Sequence, residues 1–142
     1  MSFVVIIGCG GREHAIAKSL KKNSNIKLIT IGNFKNPGLR KISDFYICLD
    51  LTNNFEIYSS IKSYNADYVV IGPEALLENG LADYLISKNI PVIGPTRSFA
   101  KIETDKYFCR KLMEKFNLER YSPDYIFINH KTNNAKKLFL DF

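Results

Sequence analysis

Short apolar runs alternate with amphipathic stretches along the first two-thirds of the chain. Phe3 to Ile7 is uninterrupted and β-branched, the pattern of a strand buried on both faces. Gly8-Cys9-Gly10-Gly11 breaks the run. A helix is predicted from about Gly11 to Lys22, with Ala15, Ile16 and Leu20 on its buried side. Lys18, Lys21 and Lys22 fall near its C-terminal end, where cations are favoured. Lys27 to Ile31 reads as a second strand, closed by Gly32-Asn33, and Asn36-Pro37-Gly38 as a turn. Phe45 to Leu49 is a third strand; Phe55 to Tyr64 is a helix with Asn53 or Asn54 as its N-cap. Tyr68 to Ile71 is a fourth strand, closed by Gly72-Pro73. Gly80 to Lys88 is helical, with Leu81, Leu85 and Tyr84 on one side, and Pro91 to Ile93 is a short fifth strand before Gly94-Pro95.

Such alternation predicts an α/β fold: a parallel sheet with helices on both faces and right-handed crossovers. Every strand-to-helix loop then emerges at the carboxyl edge, where open α/β sheets bind ligands. The glycines at 8–11, 32, 72 and 94 are scattered in sequence but converge on that rim.

After Pro95 the texture changes. Thr104 is placed to cap a long helix to about Asn117, with Phe108, Leu112 and Phe116 spaced at i, i+4, i+8. Tyr121-Ser122-Pro123 stops it; Tyr125 to Ile128 reads as a strand and Thr132 to Phe139 as a helix. One β–α unit cannot make its own core, so residues after about 103 are expected to begin a second domain.

Composition narrows the class. At 142 residues with 46% hydrophobic and 24% charged positions, the chain has enough apolar surface for a folded domain. No apolar run reaches the length of a membrane span, and the N-terminus carries no secretory pattern. Cys9, Cys48 and Cys109 lack metal-ligand spacing and read as free thiols in a reducing compartment. Net charge is +6 without a run of five or more like charges, which argues against a nucleic-acid arm and fits solvated lysines.

Three segments carry candidate chemistry. In Gly8-Cys9-Gly10-Gly11-Arg12-Glu13-His14 the glycines let backbone N–H groups approach a phosphate at the positive end of a helix. The dinucleotide fingerprint needs glycine where Glu13 stands and an acid where Asn33 stands, so a nicotinamide or flavin role is disfavoured. The Walker spacing is absent. A phosphate or phosphosugar ligand remains, against a tight turn with no ligand. Arg12 can neutralise a phosphate. Glu13 is equally explained by the helix dipole, and His14 by packing or capping. Glu74, after Gly72-Pro73, is placed to accept from a hydroxyl or amine, or simply to start a helix. Lys106, in a first helical turn, sits against the dipole, as a cation does beside an anionic partner; the alternative is a solvated lysine.

These residues carry a family resemblance. Gly8 to Ala15 resembles the signature G-x-G-G-R-E-H-A of phosphoribosylamine–glycine ligases, also called glycinamide ribonucleotide synthetases. Ile71-Gly72-Pro73-Glu74-Ala75 resembles their G-P-E-A segment, and Gly94-Pro95-Thr96 with Ile102 to Phe108 their third signature, where Lys-x-Phe follows a G-P turn. Asn36-Pro37-Gly38 is similar to the N-P-G form of one branch, where other members read P-G-N-A-G. The resemblance covers essentially the whole chain.

It implies an ATP-dependent ligase of de novo purine synthesis. ATP phosphorylates the carboxylate of glycine, and the amine of 5-phosphoribosylamine attacks the acyl phosphate. It also implies a Rossmann-like pre-ATP-grasp domain over 1–103 and the β–α start of an ATP-grasp domain over 104–142. Gly8, Gly10, Gly11, Arg12, Glu13, His14, Gly72, Pro73 and Glu74 would face the phosphoribosyl substrate, and Lys106 the phosphates of ATP. Catalytic residues and the ligands for Mg2+ or Mn2+ are expected beyond Phe142, in the remainder of the ligase chain. The expected setting is cytoplasmic, without membrane or nucleic acid. A non-catalytic phosphoribosyl-binding module, or the remnant of a split enzyme, is the alternative.

Overall fold

A computed structural model of the chain describes residues 1–128, 137 and 140. Strand β1 (Ser2–Ile7) leads to helix α1 (Gly11–Leu20), β2 (Ile26–Gly32), α2 (Pro37–Ile42) and β3 (Phe45–Cys48). Then come α3 (Asn54–Ser63), β4 (Tyr68–Ile71), α4 (Glu74–Glu78), α5 (Leu81–Ser87) and β5 (Val92–Ile93). Helices α6 (Arg97–Thr104) and α7 (Lys106–Lys115) follow, with a 3-10 turn at Glu119–Tyr121.

The five strands form one parallel sheet in the order β3-β2-β1-β4-β5. Successive side chains on a strand face opposite ways, so the apolar run of β1 feeds both faces. Val5 and Ile7 pack with Ile57, Ile61, Leu81 and Leu85 from α3 and α5. Val4 and Ile6 pack with Ala17 and Leu39 from α1 and α2. The expected α/β fold with helices on both faces is the one observed. Its order reverses between β1 and β4, where Ile7 pairs with Ile71, and the crevice of such a sheet opens at that reversal.

Several local expectations are corrected. In α1, Ala15 is exposed, whereas Glu13 and Ala17 are buried. The inward stripe is therefore 13, 16, 17 and 20, one residue out of phase with a purely apolar reading. Asn36-Pro37-Gly38 is the start of a helix rather than a turn. The Asn36 side chain accepts from Gly38 N–H at 2.9 Å and Leu39 N–H at 3.1 Å, and Pro37 occupies the first helical position. Thr104 does not cap the long helix; it ends α6, and Asp105 caps α7 by accepting from Phe108 N–H at 2.9 Å. Asn53, one of the two candidates, caps α3.

The chain divides into two compact units, Met1–Ala100 and Lys101–Phe142. Among the described residues, every buried hydrophobic residue lies in the first. In the second, Tyr107 stacks on Phe127 with ring centroids 4.2 Å apart, and Arg110 lies over Tyr125 and donates to Ser122. Phe108 and Phe116 are exposed and Leu112 is half-buried, so among the described residues the expected apolar stripe has no buried core of its own. The expected strand at Tyr125–Ile128 does not form, because a strand needs a neighbour to complete its ladder and the described residues offer none there. The helix expected at 132–139 lies outside the described residues.

Candidate functional site

A cavity of about 550 Å³ opens at the carboxyl edge of the sheet in the first unit. That is within the range of small-molecule sites. The β1–α1 turn supplies Gly8 to Glu13, and Pro73, Glu74, Ala75, Leu76 and Asn79 form the facing wall. Asn33 and Phe34 come from the loop after β2; Asp50, Leu51 and Thr52 come from the loop after β3.

Gly10 precedes α1 and, having no side chain, cannot cap it. The N–H groups of Gly11, Arg12 and Glu13, which have no partner within the helix, receive no side-chain cap and form the positive end of the helix dipole. A Cβ on Gly11 would meet nothing within 4 Å. This helix start therefore combines open space with unpaired donors, the arrangement that accepts a phosphate.

The other glycines of the wall are small for a different reason. Glu13 is only 4% exposed, and its Oε2 accepts from Gly10 N–H at 2.6 Å. A Cβ on Gly72 would lie 2.6 Å from Glu13 Cδ and 2.7 Å from its Cγ. On Gly10 it would lie 2.9 Å from Glu13 Oε2, and on Gly8 it would lie 3.0 Å from Glu13 Cδ and 2.7 Å from Pro73 Cδ. Gly8 also has φ +113°, a conformation that side chains resist. So Gly8, Gly10 and Gly72 make room for one buried carboxylate and the proline beside it.

Arg12 is committed within the protein. Its Nη1 donates to Gly72 O at 2.6 Å, and its Nη2 reaches Glu74 Oε2 at 3.4 Å. The guanidinium thus ties the β1–α1 turn to the segment after β4. Glu74's own backbone N–H and the Arg12 guanidinium hold the Glu74 carboxyl below its ordinary range. At neutral pH it is an acceptor with capacity for a hydroxyl or an amine. Glu74 and Gly10 lie on the same edge of the sheet and line the same cavity, as their positions after neighbouring parallel strands require.

His14 does not line the cavity; its ring packs on α2, where a Cβ on Gly38 would come within 2.5 Å of Cε1. Gly72 contributes a carbonyl to Arg12 rather than a cavity surface. Lys106 is the exposed first residue of α7, in the second unit. Gly94-Pro95, expected on the rim, does not line the cavity either.

Phe34, Asp50, Thr52 and Asn79 also line the cavity and belong to no motif in the sequence. Asp50 is the second residue after β3, and that position alone puts it on the ligand edge. Its carboxylate accepts from Thr52 N–H at 2.9 Å and from the Thr52 hydroxyl at 2.8 Å, which holds its pKa below the ordinary value. Phe34 is placed by Tyr46, whose hydroxyl donates to Phe34 O at 2.7 Å and accepts from Asn36 N–H at 3.2 Å. Burial raises the Tyr46 phenol above its usual range. Cys9 donates from Sγ to Asn33 Oδ1 at 3.1 Å, which occupies the Asn33 acceptor where a dinucleotide fold places a ribose-binding acid. The described residues hold no group of three His, Cys, Asp or Glu suited to a metal ion. None of their helices is long and apolar enough to cross a membrane.

Residues 2–103 match the family described as phosphoribosylglycinamide synthetase, N domain. The chain is 42% identical over 116 residues to a phosphoribosylamine–glycine ligase of Methanocorpusculum labreanum, an alignment that covers 82% of this chain and 27% of that protein. It superposes with TM-score 0.65 and 19% identity on phosphoribosylglycinamide synthetase from Anaerococcus prevotii, over 99% of this chain and 34% of that one. It also superposes, with TM-score 0.69 and 12% identity, on N5-carboxyaminoimidazole synthetase from Staphylococcus aureus complexed with ADP, over 99% of this chain and 36% of that one. The chain spans roughly a quarter to a third of the length of the curated relatives it matches.

Proposed function

The chain belongs to the phosphoribosylglycinamide synthetase family, and from that premise we propose that its cavity holds the phosphoribosyl substrate of a phosphoribosylamine–glycine ligase. One observation carries the reading: a single cavity at the β1/β4 reversal joins the uncapped start of α1 to the ionised Glu74. The two ends suit the two ends of a phosphosugar. Open N–H groups at 11–13 take the phosphate, and Glu74 accepts from a ribose hydroxyl or orients the amine. Arg12 acts mainly as the strap that keeps these two ends in register, with its positive charge still close to the phosphate position.

The reaction of the whole ligase is ATP-dependent joining of glycine to 5-phosphoribosylamine. In this reading residues 1–103 are the pre-ATP-grasp domain and 104–142 begin the ATP-grasp domain. ATP is a substrate, and Lys106 approaches its phosphates. The described residues do not fit a Mg2+ or Mn2+ site, so no step here runs through the metal. The catalytic groups and metal ligands belong to the remainder of the ligase, and the enzyme works in the cytoplasm. A phosphate-release assay with phosphoribosylamine, glycine and Mg-ATP tests the proposal. Turnover should require the full ligase and be absent from the 142-residue chain. Glycinamide ribonucleotide formation by the chain alone would contradict the reading.

The alternative, a phosphoribosyl-binding module without catalysis, shares the cavity and differs only in what the rest of the protein does. A full-length protein that binds ribose 5-phosphate but never releases phosphate from ATP would favour it.

A further inference from the structure

The buried carboxylate of Glu13 is unusual within this molecule. Among the described residues it and Thr30 are the only polar side chains in the buried set. Thr30 is satisfied, its hydroxyl 2.7 Å from that of Ser43. Glu13 is half satisfied: Oε2 takes the Gly10 N–H, and no donor among the described residues reaches Oε1. The ion pairs of the described residues do not include Glu13 either, and the neighbouring guanidinium of Arg12 is directed at Gly72 and Glu74.

A carboxylate removed from water with one hydrogen bond is costly. Met would fill the same cradle but leave the Gly10 N–H without its acceptor; the positive end of α1 offsets part of the cost, and the Gly10 bond uses only one of the two oxygens. No fully buried side-chain oxygen or nitrogen of the described residues lacks a partner, and Glu13 lines the cavity. Oε1, which lies against Gly72, is therefore not fully sealed, and its residue is part of the cavity wall. Gly8, Gly10 and Gly72 are all kept free of side chains around this group, so its position is closely determined.

We propose that Glu13 is a ligand-recognising carboxylate, whose Oε1 accepts a hydrogen bond from an O–H or N–H donor on the sugar of the bound phosphosugar. The proposal rests on the phosphoribosyl reading above and refines it. The helix start at Gly11 selects the phosphate, and the buried carboxylate two residues later selects the donor-bearing ring. An inorganic phosphate satisfies the first and leaves Oε1 unpaired. A phosphosugar satisfies both, so the pair distinguishes a phosphosugar from a bare anion.

Calorimetric titration of the 142-residue chain with ribose 5-phosphate and with inorganic phosphate tests this. The wild-type chain should bind the sugar phosphate about tenfold more tightly, the worth of one hydrogen bond to a charged group. Glu13→Gln should lose most of that advantage while its phosphate affinity stays within about twofold. Should Glu13→Gln fail to fold, carboxyl-13C NMR of the wild type gives the same answer. The Glu13 resonance should move with ribose 5-phosphate and stay put with phosphate. A folded Glu13→Gln chain with undiminished sugar-phosphate affinity, or an unmoved Glu13 resonance at saturating ribose 5-phosphate, overturns this role and leaves the phosphoribosyl reading standing. Absence of ribose 5-phosphate binding to the wild type overturns both.

Discussion

Gly72 and Gly11 look alike in the sequence and do opposite work. Gly72 borders Glu13 so closely that any Cβ must displace the carboxylate, whereas Gly11 borders open space. Gly72→Ala should therefore destabilise the fold by about 1–3 kcal/mol, as overpacking does, read by thermal melting followed by circular dichroism. Gly11→Ala should melt no lower than wild type and should instead weaken ribose 5-phosphate binding, because the methyl group occupies the phosphate's approach. Equal melting losses from the two would remove the distinction. Glu74→Gln keeps shape and removes charge; in the full-length ligase it should raise KM for phosphoribosylamine and leave KM for ATP nearly unchanged. The glycine-rich turn was legible from sequence as a turn after a strand. Its reason was not, because Gly72 stands far along the chain from Glu13 and only the β1–β4 pairing brings them together. Arg12 shows the same limit: a cation beside a phosphate-type turn, but one whose hydrogen bonds go to Gly72 and Glu74.

At the scale of elements, helix ends decide most of what sequence pattern left open. Asn36 and Asn53 cap α2 and α3, while Asn65, Asn89 and Asn117 take positive φ just beyond α3, α5 and α7. A residue rich in this chain is thus used for the two backbone tasks it tolerates best. Asn-Pro-Gly signals both a turn and a helix start, and the six-residue α2 behind it is too short to show a period. Strands β1 and β4 were legible nearly to the residue because burial on both faces leaves no polar interruption. The β2–β3 edge depends on Asp44, which accepts from Leu28 N–H at 2.8 Å, Lys21 Nζ at 2.9 Å and Lys27 Nζ at 3.0 Å. Burial opposes its ionisation, but these three donors outweigh it and hold its pKa far below the ordinary carboxylate range. A depressed folded-state pKa contributes stability above the unfolded value and loses it as pH falls toward the folded one. Asp44→Asn should cost about 1–3 kcal/mol at pH 7, a range already allowing for partly exposed lysines. The gap to wild type should narrow below about pH 4, the ordinary aspartate range. Urea denaturation across pH 3–7 measures it, and a pH-independent gap would assign the loss to shape rather than charge.

For the whole molecule, the buried core of the described residues lies within the first hundred, and the second unit carries exposed aromatics. Residues 1–103 alone should therefore fold with nearly the same melting temperature as the 142-residue chain, the circular-dichroism spectrum losing only the helical signal of α7. A large loss of stability on truncation would place part of the core in the second unit. Within the full-length ligase, Lys106→Ala should weaken ATP more than phosphoribosylamine, by roughly the 1.5–3 kcal/mol of a lost charge-assisted contact. Unchanged ATP affinity would return Lys106 to a solvated lysine. The fold class was legible because strand–helix alternation has few parallel-sheet solutions, and the location of the site followed from topology. The tasks of individual side chains inside it depended on contacts between segments remote in sequence. In the proposed reading, the cavity beside Gly10, Gly11 and Glu74 receives a phosphoribosyl group. Titration of the 15N-labelled chain with ribose 5-phosphate, followed by amide NMR, tests it most directly. Saturable shifts should centre on the amides of Gly10, Gly11, Arg12 and Glu74; saturable binding that leaves those amides unmoved, or no binding at all, would contradict the account.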